Sequence, residues 1–179
     1  MTDKIKLLGD ERREVLLELL KESGQPLTGS ELAKRTNVSR QVIVGDITLL
    51  KARNEPILAT SQGYIYIQPM ENREIHEKIV ACIHKPEQAE EELNLLVDLG
   101  ITVKDVKIEH PVYGDLTASI MVSNRKEVKN FMEKVNSTNA TYLSELTNGV
   151  HLHTLSASNE KLLTEAEEVL RQANLLMEN

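Results

Sequence analysis

Two histidines, His151 and His153, have the spacing of a pair of metal ligands. If the β-rich segment around them is a strand, both imidazoles project from one face of the sheet and Leu152 projects from the other. Imidazole binds zinc, nickel, iron and copper, and a carboxylate commonly completes such a ligand set. Glu92 is the candidate carboxylate, because it lies about two helical turns beyond a strand that is predicted to end at His84. The alternative interpretation is a pair of solvated surface histidines.

Strands and helices alternate in the second part of the chain, where all five histidines lie. Weak alternation, β-rich runs and Pro and Gly boundaries predict the elements there. The predicted strands are 77–84, 101–109, 116–122, 141–147 and 150–157, and the predicted helices are 86–99, 124–136 and 159–177. The last two strands form a hairpin around Asn148-Gly149, a strong turn signal. The fold class is therefore α+β, with a ferredoxin-like character in this second part of the chain.

The first part of the chain predicts three helices followed by a hairpin. Asp10 can cap a helix that runs to about Lys21, and Thr28 and Glu31 form a capping box at the start of a short helix, 29–36. Asn37 suits a left-handed turn, and Ser39 caps a third helix at about 40–53. Strands 57–59 and 64–67 complete a winged helix-turn-helix, whose third helix fits the major groove of DNA.

The outward positions of the third helix are the candidate DNA contacts. They are Ser39, Arg40, Gln41, Val44 and Thr48, among which Arg suits guanine, Gln suits adenine and Ser suits a phosphate or a base edge. Asp46 argues mildly against this assignment unless it pairs with a neighbouring Arg or Lys. The alternative is a helical module for protein contact, since winged helices also serve that role.

Charge divides the 179-residue chain into unlike parts. Residues 1–68 carry 10 Lys and Arg against 9 Asp and Glu, a net charge of +1, whereas residues 69–179 carry 11 against 19, a net charge of −8. Residues 28–53 have a net charge of +3, from five basic and two acidic side chains. We therefore predict a DNA-binding domain at 1–68 and a second domain, which contains the candidate metal ligands, at 69–179. The acidic total of −7 does not exclude DNA binding, because charge acts locally.

Composition excludes several other classes of protein. An aromatic content of 3% argues against base-stacking platforms. The single cysteine, Cys82, rules out an internal disulfide and a multi-cysteine zinc site, and its apolar surroundings indicate a buried thiol. No apolar run approaches the roughly 20 residues of a membrane span, and no secretory signal is present at the N-terminus. A cytoplasmic location is expected.

Two sets of motifs resemble a known family. The winged helix resembles the biotin-repressor type through the stretch LTGSELAKRTNVSRQVIVGDITLLKARN. Over nearly the full length, the chain resembles the nicotinate-responsive transcriptional repressors of NAD biosynthesis and niacin uptake, and the specific motifs are HKPEQAEEEL, EHPVYGDL and NGVHLHTL. This resemblance implies a homodimeric repressor that binds double-stranded operator DNA, with nicotinic acid as co-repressor.

The same resemblance implies that residues 69–179 form a metal- and effector-binding regulatory domain, and it assigns residues there. It implies a nickel or zinc ion held by His84, Glu92, His151 and His153, and it places His110 of EHPVYGDL near the effector. Tyr113, in the same motif, is the second candidate effector contact. A metal with an open position could take one ligand atom of nicotinate while His110 or Tyr113 contacts the remainder. His76 matches no motif and is interpreted as a surface residue.

Two other functions share part of this residue set. A metal-sensing regulator, in which the metal itself is the effector, uses all of the same residues. A metal-dependent enzyme with an accessory helical domain could activate water at the site. The enzyme is less well supported, because the sequence contains no separate general base at a recognisable spacing and no Gly-rich phosphate loop.

Overall fold

A computed structural model describes residues 8–67 and 75–178 of the chain. The contacts divide the chain into two compact units, Met1–Met70 and Glu71–Asn179. The predicted domain boundary between residues 68 and 69 lies outside the described residues, so its position stays a prediction. The two units are described separately below.

The first unit is a winged helix-turn-helix, as the sequence predicts. Its described elements are the helices α1 (Gly9–Ser23), α2 (Gly29–Thr36) and α3 (Arg40–Ala52) and the strands β1 (Ile57–Thr60) and β2 (Gly63–Tyr66). Strands β1 and β2 pair antiparallel to form the wing, and Leu27 adds a bridge to Tyr64 of β2.

Local capping sets the boundaries of the helix-turn-helix. The Thr28 hydroxyl accepts a hydrogen bond from the Glu31 amide, and the Glu31 carboxylate accepts one from the Thr28 amide. Asn37 ends α2 with a φ of 55°, and the Ser39 hydroxyl accepts a hydrogen bond from the Val42 amide at the start of α3. The predicted caps of α2 and α3 are confirmed, and they hold these helices around one apolar core. The predicted cap Asp10 is wrong, because Asp10 lies in the first turn of α1, whose N-cap is Leu8.

The second unit alternates strands and helices in the order that the sequence predicts, except that the predicted strand 141–147 is absent. Its described elements are β3 (His76–Ile83), α4 (Ala89–Asp98), β4 (Thr102–His110), β5 (Gly114–Val122), α5 (Arg125–Thr138), β6 (Val150–Ala157) and α6 (Glu160–Gln172), with 3₁₀ helices at Pro86–Gln88 and Leu143–Thr147. The strands form an antiparallel sheet in the order β3-β6-β4-β5. The α+β class is confirmed.

The sheet is a split βαβ arrangement, because β6 lies between β3 and β4 and pairs antiparallel with both. Here the fourth and second strands of the unit are central, whereas in the ferredoxin-like fold the first and third strands are. Leu93, Leu96, Val128 and Leu170 contribute to the buried core from α4, α5 and α6. The core therefore lies between these helices and the face of the sheet from which His151 and His153 project.

The predicted hairpin around Asn148-Gly149 is wrong. The residues before this turn form the 3₁₀ helix Leu143–Thr147 instead of a strand. Asn148 and Gly149 both have positive φ, 52° and 93°, as a two-residue hairpin turn requires, but here they end the 3₁₀ helix and start β6. The signal for the turn is local, whereas strand pairing needs a free neighbour, and both edges of β6 are already taken by β3 and β4.

None of the helices in the described ranges 8–67 and 75–178 is both long and apolar enough to cross a membrane.

Candidate functional site

Four side chains of the second unit converge inside it, and they are the four predicted metal ligands. His84 follows β3, Glu92 lies on α4, and His151 and His153 project inward from β6. All four side chains are at most 4% exposed. The predicted spacing of His151 and His153 on one face of a strand is thereby present, and α4 brings the carboxylate to them.

One carboxylate oxygen lies at the centre of the three imidazoles. The Nε2 atoms of His84, His151 and His153 lie 2.8, 3.3 and 3.2 Å from Oε2 of Glu92. The ring of His151 packs edge-on against the other two, with both pairs of ring centroids 4.8 Å apart. All three histidines therefore direct the same ring atom to one point.

Backbone carbonyls fix the orientation of each ring from its other side. Nδ1 of His84 faces the Lys85 carbonyl oxygen at 2.8 Å, and Nδ1 of His151 faces that of Gly149 at 2.9 Å. Nδ1 of His153 faces the Asp105 carbonyl oxygen at 2.6 Å. Because a carbonyl only accepts, each Nδ1 carries a proton, and in the neutral ring the lone pair is on Nε2. This is the tautomer that metal-bound histidines adopt when a backbone carbonyl holds the other nitrogen.

The residues of this cluster fit a divalent cation. Three Nε2 lone pairs and one carboxylate oxygen repel one another, whereas protonating all three rings would bury several positive charges together. The second carboxylate oxygen, Oε1 of Glu92, is buried and has no hydrogen-bond partner among the described residues. A divalent cation among these atoms would satisfy the three nitrogens and the carboxylate at once.

The pKa values of the cluster reflect the same pairing. Burial alone would raise the pKa of Glu92, but the charge on His153 and hydrogen bonds from the three rings hold it well below its usual range. Burial alone would lower the pKa of His84 and of His153, and the Glu92 carboxylate outweighs that effect, so both pKa values are raised. The carboxylate is therefore ionised inside the unit, as a metal ligand must be.

Gly149 permits the close packing of two site-bearing segments. A Cβ atom at this position would lie 2.3 Å from the carbonyl oxygen of His84, and φ is 93°. The Gly149 carbonyl in turn accepts hydrogen bonds from the His84 amide and from Nδ1 of His151. The glycine of the NGVHLHTL motif therefore brings the end of β3 to the start of β6, which places the first histidine beside the second.

Cys82 joins the cluster, which the sequence interpretation as an ordinary buried thiol missed. One ligand atom each from Cys82, Glu92 and His151 lie within 4.8 Å of one another. Burial, followed by the Glu92 carboxylate, raises the pKa of the thiol. The signal that could have found this residue is its even spacing from His84 along a strand, but that spacing gives no distance to β6.

An apolar cavity of about 200 Å³ adjoins the cluster. It lies between the sheet, α4, α5 and the 3₁₀ helix Leu143–Thr147. His84, Glu92, His151 and His153 form its polar wall, and the other lining residues include Leu93, Val106, Phe131, Val135, Tyr142 and Ser144. No Lys or Arg lies among the described lining residues. The cavity can hold a small flat molecule against the cluster.

The predicted effector contacts lie elsewhere in the same unit. His110 ends β4 and Tyr113 is 73% exposed in the turn before β5. Their rings are 5.0 Å apart, and Nδ1 of His110 accepts hydrogen bonds from the amides of Val112 and Tyr113. Neither residue lines the cavity, and His110 is four residues along β4 from Val106, or about 13 Å at the rise of a strand. His76, on β3, is half-buried and apart from the cluster.

The first unit presents its candidate DNA contacts on α3. Ser39, Arg40, Gln41 and Thr48 are exposed, and Val44 is half-buried. Ile43, Ile47 and Leu50, on the opposite side, are buried in the core of the unit. The predicted division of α3 into an outward and an inward face is therefore present.

Asp46 is not part of the outward face of α3. It is 4% exposed, and its carboxylate accepts hydrogen bonds from Nε of Arg12 at 2.6 Å and from the Arg13 guanidinium at 3.1 Å. The ion pair joins α3 to α1, which fixes the orientation of the reading helix. Because Asp46 points inward and pairs with arginines of α1, it does not reduce the positive charge of the outward face of α3.

Comparisons with known proteins agree with both units. A family model of the HTH domain matches residues 12–65, and a model of the 3H domain matches residues 77–179. The chain is 60% identical to the transcription repressor NadR of Bacillus subtilis over the whole of both chains. It is 35% identical to the probable transcription repressor NiaR of Thermotoga maritima, over 97% of this chain and 98% of the relative.

These relatives confirm that the chain is a regulator and not an enzyme, and the HTH match confirms DNA as its partner. The chain belongs to the family of transcription repressors that join an HTH domain to a 3H domain, the family that its histidine motifs resemble.

Proposed function

We propose that the chain represses genes of NAD biosynthesis or niacin transport in the cytoplasm, with nicotinic acid as co-repressor and a divalent metal, nickel or zinc, in the 3H domain. It binds double-stranded operator DNA as a homodimer. The proposal of a metal is supported by the convergence of three imidazoles on one buried carboxylate oxygen, with each ring held at Nδ1 by a backbone carbonyl. The resemblance of the three histidine motifs supports the choice of nicotinate.

His84, Glu92, His151 and His153 would hold the metal. When bound, the ion supplies a Lewis-acidic point that can accept a carboxylate oxygen or a pyridine nitrogen. The protein supplies the orientation of each ring through the carbonyls of Lys85, Gly149 and Asp105. Water is kept from the cluster by burial of all four side chains.

The cavity beside the cluster is the effector site that the geometry supports best. Phe131, Tyr142 and the aliphatic side chains of its lining suit the faces of a pyridine ring. A carboxylate in an apolar cavity is unfavourable without a partner, and away from the cluster the lining among the described residues contains no Lys or Arg. Charge compensation for nicotinate is therefore available only at the cluster, so effector binding depends on the metal being present.

Amino-acid substitutions can show whether the effector binds in this cavity or at the predicted contacts His110 and Tyr113. If the effector lies in the cavity, Phe131→Ala weakens nicotinate binding while His110→Ala and Tyr113→Phe leave it unchanged. If His110 or Tyr113 contacts the effector, the pattern reverses. Calorimetric titration of the metal-loaded protein with nicotinate measures all three affinities.

The effector can strengthen repression only if it binds the DNA-competent dimer more tightly than the other state. The expected structural change is in the spacing of the two reading helices, because half-sites lie about 34 Å apart or a multiple of that. Stabilising one spacing raises affinity for operator DNA without new contacts to bases.

Titration of operator binding with nicotinate, with and without a chelator, tests the proposed function. Binding that requires both nicotinate and metal supports the co-repressor mechanism. Binding that responds to the metal alone supports a metal-sensing regulator, for which nicotinate is unnecessary. Operator binding that responds to neither rules out both forms of regulation.

A further inference from the structure

Cys82 and His151 face the same side of the sheet. They are directly paired in the antiparallel register of β3 and β6, and Cys82 is completely buried. Side chains at paired positions of neighbouring strands lie side by side on one face. The thiol therefore points to the same interior as the imidazole that belongs to the proposed metal site.

The thiol also lies close to the carboxylate of that site. Sγ of Cys82, a carboxylate oxygen of Glu92 and a ring nitrogen of His151 are all within 4.8 Å of one another. These are ligand types that a zinc, nickel or cobalt ion takes together, with a metal–sulfur distance of about 2.3 Å for zinc.

A second observation concerns the other carboxylate oxygen of Glu92. Oε1 of Glu92 is a buried polar atom with no hydrogen-bond partner in the described part of the chain, on a residue that is 1% exposed. Buried polar groups without partners are rare, and an unseen ion is one of the few explanations. Oε2 of Glu92 already faces the three histidines. Oε1 therefore remains available to bind a cation that also contacts Cys82.

We propose that Cys82 is a ligand of the metal, so that the site of this chain is a mixed sulfur, nitrogen and oxygen site. This inference rests on the proposed metal site and adds a ligand to it. Metal binding forms one metal–sulfur bond and breaks the S–H bond, and the proton leaves to solvent. Thiolate ligation selects for zinc, nickel and cobalt over magnesium, calcium and manganese.

Cobalt(II) is a probe whose absorption spectrum distinguishes ligation by Cys82 from ligation by the other residues of the site. The metal-free, full-length protein is titrated with Co²⁺, and absorption is recorded in the visible and near-ultraviolet ranges. Visible d–d bands report binding to any ligand set, whereas a near-ultraviolet charge-transfer band reports a cobalt–thiolate bond. Because the chain contains one cysteine, that band has a single possible source.

We expect both sets of bands in the wild-type protein at about one equivalent of Co²⁺. Cys82→Ser should lose the charge-transfer band and keep the visible bands, and its zinc affinity should fall about tenfold or more. X-ray absorption of the wild-type zinc or nickel form should show a sulfur neighbour, which tests the proposal without any variant.

The two possible failures are distinguishable. Visible bands without a charge-transfer band, and no sulfur neighbour, overturn ligation by Cys82 and leave the four-residue site intact. No visible bands at all overturn the metal site itself, and with it this inference. Equal zinc affinity of the wild type and of folded Cys82→Ala also contradicts the sulfur ligand.

Discussion

At the scale of single residues, Glu92 decides the chemistry of the cluster. It supplies the negative charge that balances a cation, and it lies within 3.3 Å of all three Nε2 atoms. Its burial is tolerated because those rings surround it. Substituting its carboxylate therefore tests the site more directly than removing any one imidazole.

Glu92→Gln keeps the shape of the side chain and removes the charge. Loss of a residue that only hydrogen-bonds to a metal ligand typically lowers metal affinity about ten- to hundredfold. Because Glu92 would bind the metal directly, we expect zinc or nickel affinity to fall by at least that much. The measurement is the metal-induced rise in melting temperature. Glu90→Gln, an exposed position on the same helix, is the control and should leave the shift unchanged. An unchanged shift in Glu92→Gln would contradict the assignment.

The pKa shifts predict opposite effects of pH on the metal-free and metal-loaded protein. His84 and His153 have pKa values raised above 6.5 in the folded protein. Their contribution to the free energy of unfolding is therefore complete below pH 6.5, and it is lost as the pH rises through the pKa values of the folded state. Glu92 has a pKa lowered below 4.5, so its contribution is present above pH 4.5 and is lost as the pH falls through the folded value. Without metal, the cluster stabilises the unit most between these limits.

Metal binding requires neutral rings, so the stabilisation that zinc or nickel adds should grow as the pH rises above 6.5. Thermal unfolding with and without metal, from acidic to mildly alkaline buffer, measures both trends. A metal-induced shift that is larger at acidic pH than at neutral pH would show that the histidines are not ligands.

At the scale of elements, the orientation of α3 depends on its ion pair with α1. Asp46→Asn removes the buried negative charge that Arg12 and Arg13 contact, and both guanidinium side chains are only 12% exposed. Breaking a buried pair costs about 3–5 kcal/mol, so we expect a loss in the lower part of that range from the free energy of unfolding. Urea unfolding measures it. Asp10→Asn weakens two ion pairs, with Arg13 and Arg53, at an 80% exposed carboxylate and is the control, with little change expected.

Gly45, in the middle of α3, is not required by packing against any described residue. A Cβ atom there would meet nothing within 4 Å in the described structure, yet glycine costs about 1 kcal/mol relative to alanine in a helix interior. Its position between Gln41 and Thr48 indicates close approach to DNA. We expect Gly45→Ala to raise the melting temperature and to weaken operator binding, measured by calorimetry and gel shift. Stronger binding by this variant would refute close approach.

Local signals predicted most elements but not how the strands pair. The caps of α2 and α3 and the whole of β6 agree with the sequence, because each depends on neighbours within a few residues. The prediction of a strand at 141–147 was wrong, because a turn signal does not show which strand is available for pairing. Cys82 was missed for the same reason, because its nearness to His151 comes from the β3–β6 register.

At the scale of the whole molecule, the charge of the chain is an average over unlike parts. The net charge is +1 for residues 1–68 and −8 for residues 69–179, although residues 28–53 carry +3. The acidic part repels DNA at low ionic strength, and few phosphates can be neutralised by the basic part. Under the proposed function, specific binding therefore depends on dimer geometry and effector more than on attraction to the DNA backbone.

This distribution predicts a shallow salt dependence. Residues 28–53 contain five basic side chains, so the slope of log K against log[salt] should not exceed about 4–5 in magnitude per protomer. Fluorescence anisotropy with operator and with unrelated DNA, across a range of potassium chloride concentrations, measures it. A markedly steeper slope would place further basic residues, outside the helix-turn-helix, on the DNA.

The sequence by itself determined the class of each unit, the caps of the reading helix and the common face of His151 and His153. These properties follow from helical and strand periodicity and from capping, which act over a few residues. Tertiary structure decided that Glu92 meets three anchored imidazoles, that Cys82 lies beside them and that His110 lies at a distant turn. These relations depend on the order and register of strands far apart in the chain, which spacing along the sequence does not encode.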